Sequence, residues 1–285
     1  MENRMNNPLE TAQEIGVKKT EKSIKSLLFL GFLAGLEIAF AALASTVASM
    51  NLLKSPETYG LGKLIQGLVF SGGLIMVILS GAELFTGNSL MLISLFDRRI
   101  SPKRLLKNWG FVYLGNLLGS LFLAFLVAFS GILGANSGLL GETFTNITTS
   151  KISLSFLPAF SLGILCNILV CLAVYISFSS KTLSGKLLAC IFPVTFFVMC
   201  GFEHSIANMF YIPVGFLSMG NWNLLSFLSN LLPVTLGNVL GGTLIAAIFY
   251  FSSNHATISL WKKQKSKKNP SKSNPKKQRK TAPKN

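Results

Sequence analysis

Charge is what this chain has little of. Only 13% of its 285 residues are charged, about half the share of a soluble domain (roughly 25%). Half of the residues are hydrophobic and 23 are phenylalanine, so the composition excludes a soluble globular domain and indicates a polytopic membrane protein. Histidine is scarcer still, with two residues in the chain and only His204 outside the tail. One intramembrane histidine is too few for a metal centre, and neither a metal nor a cofactor is expected. The four cysteines, Cys166, Cys171, Cys190 and Cys200, lie in apolar runs without metal-site spacing. They read as reduced packing residues. A Gly-x-Ser-Gly nucleophile motif is missing, because Ser71-Gly72 follows Val69-Phe70. An intramembrane serine protease is therefore disfavoured. Acids within the apolar runs are limited to Glu37, Glu83 and Glu203, few for a cation-coupled carrier.

The charge that is present is unevenly placed. Eleven of the sixteen net positive charges fall in residues 261–285, which contain no acid and three prolines. Residues 253–285 are expected to form a disordered basic tail, with anionic lipid its simplest partner and no nucleic acid required. Residues 1–26 form a polar segment in which Leu9, Ala12 and Ile15 sit at helical spacing, consistent with a short amphipathic helix on the membrane surface. Between them, residues 27–252 hold six apolar runs. The first covers Leu27 to Met50 and contains Glu37, read as structural in preference to vestibule-lining. The third covers Trp109 to Leu140, and a polar loop around Glu142 to Lys151 precedes the fourth. Arg98, Arg99, Lys103, Arg104 and Lys107 follow the second run, and Lys181 and Lys186 follow the fourth. The positive-inside bias then puts both termini in the cytoplasm, in an inner (cytoplasmic) membrane.

Two of the six runs are interrupted. The second breaks at Gly81-Ala82-Glu83-Leu84-Phe85-Thr86-Gly87-Asn88 and the fifth at Gly201-Phe202-Glu203-His204-Ser205-Ile206-Ala207-Asn208. These octets share Gly, Glu and Asn in register, 120 positions apart, and Gly115-Asn116 recurs as Gly237-Asn238, 122 apart. Nearly equal offsets mark a duplication of three spans, and an odd number of spans inverts the second copy in the membrane. The expected fold is therefore all-α: six transmembrane helices in two inverted three-helix repeats, with helices 2 and 5 broken. Broken backbone in a bilayer is tolerated only where it is buried or lines a cavity. Glu83 and Glu203 are placed to accept from freed N–H groups, and Asn88 and Asn208 to cap the resuming half-helices. This bracing role is favoured over proton transfer. The half-helix N-termini favour a nearby anion, with Thr86 and His204 adding donors. An ionisable group at this depth marks a pathway or proton relay, the plain alternative being a hydrogen bond to a neighbouring helix.

The two octets, the Asn-Gly pairs and the inverted halves resemble the formate/nitrite transporter family over about residues 9–252. The resemblance implies an aquaporin-like protomer in a homopentamer that passes small monovalent weak-acid anions, formate first, with nitrite or hydrosulfide as others. It matches His204 and Thr86 to the central pore and Lys151 to the outer vestibule. Asn167 and Asn238 are matched to pore-facing positions. Leu84 and Phe85 are matched to an outer constriction, and Phe70, Leu74 and Phe197, with Val170 nearby, to an inner slit. The implied route is attraction at Lys151, dehydration past Leu84 and Phe85, and transient protonation at His204 and Thr86. Stripping water from an anion costs several kcal/mol or more, which a donor cluster between constrictions lowers. The rivals are a neutral-solute channel of aquaporin type, whose paired Asn-Pro-Ala motif is absent, and an intramembrane enzyme.

Overall fold

A computed structural model describes residues 7–268, with side chains described as far as residue 253. Among the described residues the regular structure is helical. A short helix α1 (Pro8–Glu21) begins where the Asn7 side chain accepts from the Leu9 N–H at 3.1 Å. It is followed by α2 (Ile24–Ser49), α3 (Tyr59–Ser80), a single 3-10 turn over Gly87–Leu90, α4 (Met91–Phe96) and α5 (Pro102–Phe129). The second half contains α6 (Leu139–Ile152), α7 (Phe156–Ser179), α8 (Leu183–Met199), α9 (Ser205–Met219) and α10 (Leu224–Lys268). Side-chain caps set several starts, among them Ser23 for α2, Ser101 for α5 and Thr182 for α8.

Five helices, α2, α3, α5, α7 and the Leu224–Ser253 part of α10, are long and apolar enough to cross a membrane. The remaining apolar run is divided between α8 and α9, of 17 and 15 residues. At ~1.5 Å per residue neither reaches across the roughly 30 Å hydrocarbon core alone, and together they do. The chain is thus a multi-pass membrane protein. Lipid tails provide no hydrophobic drive between helices, so contact depends on close packing of small residues. Gly31 meets Gly115 where α2 crosses α5, and Gly163 meets Gly237 where α7 crosses α10. A Cβ at Gly115 would lie 2.6 Å from the Leu28 carbonyl oxygen, and one at Gly237 would strike that of Phe160. The same crossing is built twice.

Three expectations are revised. Residues 142–151, read as a polar loop, lie in helix α6. Leu140, Phe144 and Thr148 are buried at four-residue spacing, Phe144 meets Phe210 edge-on at 5.9 Å, and the Thr148 hydroxyl donates to the Tyr211 carbonyl at 2.9 Å. Polar residues between these positions hide the stripe. The third apolar run is likewise not one helix, since α5 ends at Phe129 before a turn with left-handed residues at Gly131, Asn136, Ser137 and Gly138. Finally, α10 continues to Lys268, so residues 253–268 of the expected disordered tail are helical. Residues 269–285 lie outside the described residues.

Candidate functional site

Each broken helix stops on a glycine in the left-handed region, Gly81 with φ 72° and Gly201 with φ 70°. Such a backbone disfavours any side chain and suits glycine. Three residues outside regular structure follow, Ala82 to Leu84 in the first break and Phe202 to His204 in the second, and their backbone groups need partners. One asparagine serves each break. Asn116 Nδ2 donates to the Gly31 and Glu83 carbonyls at 2.8 and 2.9 Å, while its Oδ1 accepts from the Phe85 N–H at 3.0 Å. Asn238 Nδ2 donates to the Gly163 and Glu203 carbonyls at 2.8 and 2.9 Å, and its Oδ1 accepts from the Ser205 N–H at 2.9 Å. Asn238 is fully buried in this role, stitching three elements. The N–H groups of Glu83 and Glu203 donate to the carbonyls of Leu30 and Leu162.

A second duplicated cluster flanks each break. Lys151 Nζ lies 2.8 Å from the Glu203 carboxylate, which also accepts from Asn208 Nδ2 at 2.5 Å. Asn208 donates onward to Asn230 Oδ1, and Asn230 donates to the Lys151 carbonyl. On the other side Lys19 Nζ is 2.7 Å from Glu83, Asn88 bridges Glu83 and Asn108, and Asn108 donates to the Lys19 carbonyl. Lys22 adds a second cation 3.1 Å from Glu83. Desolvation draws the Lys19 ammonium below its ordinary value, and the Glu83 carboxylate pulls the other way. The bracing expected of Glu83 and Glu203 therefore takes a different form. Their carboxylates hold lysines and asparagines, not freed backbone N–H groups.

Two cavities open on opposite faces of this assembly. The larger, about 470 Å³, is lined by Lys63, Gln66, Lys151, Phe70, Phe197 and His204, among others. The smaller, about 290 Å³, lies beneath α1 and is lined by Lys18, Lys19, Lys22, Leu74, Glu83 and Leu84, among others. Between them is a space of about 10 Å³ whose walls include Phe70, Leu74, Leu84, Val170, Phe197 and His204. Phe70, Phe197 and His204 border the larger cavity and the neck, while Leu74 and Leu84 border the smaller cavity and the neck. The three spaces form a series. The Phe70 and Phe197 rings meet edge-on with centroids 5.8 Å apart, and Phe197 stacks on His204 at 5.9 Å.

Polar atoms in the neck come from His204, which is 3% exposed. Its Nδ1 accepts from the Ala207 N–H at 3.1 Å, capping α9, so Asn208 does not cap that helix. With Nδ1 occupied as an acceptor, the proton of a neutral ring belongs on Nε2. That nitrogen is 2.9 Å from Thr86 Oγ1 and donates to it. Thr86 is held from behind, its carbonyl accepting from Asn167 Nδ2 at 3.3 Å. Asn167 also donates to Ser89 Oγ and to the Asn238 carbonyl, so its amide is committed to joining the two halves.

The sequence-predicted residues thus separate into groups. His204 and Thr86 meet, and Phe70, Leu74, Leu84, Phe197 and Val170 enclose the space beside them. The sides are exchanged, however. Phe70 and Phe197 border the cavity that contains Lys151, whereas Leu84 borders the one beneath α1, opposite to the expected order. Phe85 turns its ring to α5, edge-on to Tyr113 at 4.8 Å and Trp109 at 5.8 Å. Asn167 and Asn238 hold backbone. The expectation missed Lys19, Asn108 and Asn230. Asn108 and Asn230 lie 122 positions apart, the offset already visible for Asn116 and Asn238, and that signal could have found them.

Known proteins resemble this chain in sequence and in fold. The profile of a family described as Formate/nitrite transporter matches residues 6–252. The chain is 39% identical over 252 residues to the formate channel FocA of Haemophilus influenzae, covering 80% of this chain and 88% of that protein. It is 40% identical over 262 residues to the uncharacterized transporter YrhG of Bacillus subtilis, covering 91% and 94%. Among solved structures it resembles a pentameric formate channel with formate bound, with a TM-score of 0.73, 37% identity, and coverage of 82% of this chain and 98% of that one. An FNT family ion channel aligns with a TM-score of 0.72 at 26% identity, covering 87% and 98%. With its duplicated helix breaks, its cation-lined cavities and this extent of similarity, the chain belongs to the formate/nitrite transporter family.

Proposed function

We propose that this protein is a transmembrane channel for small monovalent weak-acid anions, formate foremost, with nitrite and hydrosulfide sharing the route, and that it performs no chemistry on them. The observation that carries this reading is the series of two lysine-lined cavities joined by an apolar neck whose hydrogen-bond donor is His204. Lysine charge in excess of the paired glutamates raises the local concentration of anions. The neck is near or below the size of one water molecule, so an anion passes singly and dehydrated as the side chains yield. His204 Nε2–H, aimed at Thr86 in the resting arrangement, is available to a carboxylate or nitrite oxygen. This single charge-assisted hydrogen bond replaces part of the lost hydration.

The capping of α9 bears on the proton. An imidazolium would place a second N–H at Nδ1, facing the Ala207 N–H, and that arrangement breaks the cap. We therefore favour His204 as a neutral donor over the protonation relay expected from sequence, with any accompanying proton supplied by cavity water. His204→Asn keeps a donor and a capping side chain but cannot relay. Formate flux into proteoliposomes over a pH series separates the two: retained flux with unchanged pH dependence supports the donor, and loss of pH dependence supports the relay. Glycerol swelling beside formate uptake tests the neutral-solute alternative.

The arrangement in the cell follows the same reading. Basic loops support cytoplasmic termini in an inner membrane, with residues 27–252 as the channel domain. The larger cavity then faces outward. Exposed apolar stripes such as Phe29, Leu33 and Phe40 on α2 suit lipid or neighbouring protomers, and the pentameric relative supports a homopentamer. Native mass spectrometry from detergent tests the stoichiometry.

A further inference from the structure

Lys151 is the residue that resemblance assigns to anion attraction, yet its charge is already used. It lies 2.8 Å from Glu203 in a pair whose side chains are 15% and 6% exposed, and it also faces the Tyr211 ring at 5.6 Å. At the rim of the same cavity Lys54 is paired with Glu142 at 3.5 Å. The cavity is therefore lined by three lysines and two glutamates, and geometry matches each glutamate to one lysine. Lys63 remains. Among the described residues it makes no ion pair, and its ammonium sits over the face of Tyr59, one turn earlier on α3, at 5.8 Å.

Its position on α3 gives that charge a direction. Lys63, Gln66 and Phe70 follow one another at i, i+3 and i+7, the spacing of a single helix face, and all three line the larger cavity. At 1.5 Å per residue, Lys63 stands about 10 Å above Phe70 along the axis, near one Debye length in physiological salt. An incoming anion meets the uncompensated ammonium first, then the Gln66 amide, then the ring that narrows the path.

We propose that Lys63 is the anion-capture residue of the larger cavity, and that Lys151 positions Glu203 and the second helix break. This inference rests on the anion-channel reading. Its test is initial formate uptake by proteoliposomes over a concentration series, at low and high potassium gluconate, for wild type, Lys63→Met and Lys63→Arg. The neutral variant should raise KM about threefold to tenfold at low salt, the reach of one partly screened charge, and leave the maximal rate within about twofold. Its KM should also lose most of its salt dependence, while Lys63→Arg stays close to wild type. A Lys63→Met channel with wild-type KM and salt dependence overturns the proposal, as does equal impairment of the Met and Arg variants, which would make the role one of shape. Size-exclusion chromatography in detergent confirms folding, and Lys63→Gln carries the same comparison if the Met variant is not recovered. A silent wild-type protein would fail the channel reading itself, and this inference with it.

Discussion

At Glu203 a carboxylate 4% exposed depends on Lys151 and Asn208 for its compensation. Removing one member of a buried pair costs about 3–5 kcal/mol, because the other charge stays behind without a partner. Lys151→Met should therefore lower the detergent melting temperature sharply, and the double change Lys151→Met with Glu203→Gln should recover much of the loss. A double variant as unstable as the sum of the singles would refute the pairing. Asn238→Leu belongs to the same scale. It leaves the Gly163 and Glu203 carbonyls and the Ser205 N–H without their partner, at about 1–3 kcal/mol for each buried group left unsatisfied. Lost yield or stability is the expected outcome, with thermal melting as the measurement.

Two kinds of glycine separate at the level of the helices. At Gly201 nothing lies within 4 Å of where a methyl group would stand, so Gly201→Ala meets only the left-handed backbone, roughly 1–2 kcal/mol. At Gly237 the backbone is ordinary helix, but a methyl group collides with the Phe160 carbonyl of α7 and lies 3.1 Å from Gly163 Cα. Backbone has little room to give, so Gly237→Ala should cost more than Gly201→Ala, with thermal melting of the two variants as the check. What was legible in the sequence follows the same division. Both breaks and the repeated Gly-Asn pair could be read because each needs a particular residue type at a fixed register, whereas the backbone-holding role of Asn238 and the doubled glycine crossing depend on contacts that spacing does not show. Helix α6 could not, since its buried stripe of Leu140, Phe144 and Thr148 is short and surrounded by polar residues. The Phe85 ring escaped for a related reason: adjacent residues in a break point to different sides, and spacing does not say which side holds the neck. Lys19 stood in a run of four lysines, among which nothing local singles out the one that reaches Glu83.

Seen whole, the protein places equivalent braces at both faces and distinct chemistry between them. The first half contributes Thr86 and the second half His204 to one hydrogen bond. The surroundings of the two faces also differ, with Lys18, Lys19 and Lys22 beside Glu83 beneath α1. The narrow space between the cavities, about 10 Å³ and walled largely by Phe, Leu and Val side chains, has a consequence for the membrane that contains it. A space of that size holds about one water at most, so in this arrangement no chain of waters joins the two cavities for protons to hop along. A membrane that carries a proton gradient can then hold such a channel without being short-circuited through it. Vesicles holding the protein and a trapped pH dye should keep an imposed gradient as long as protein-free vesicles do.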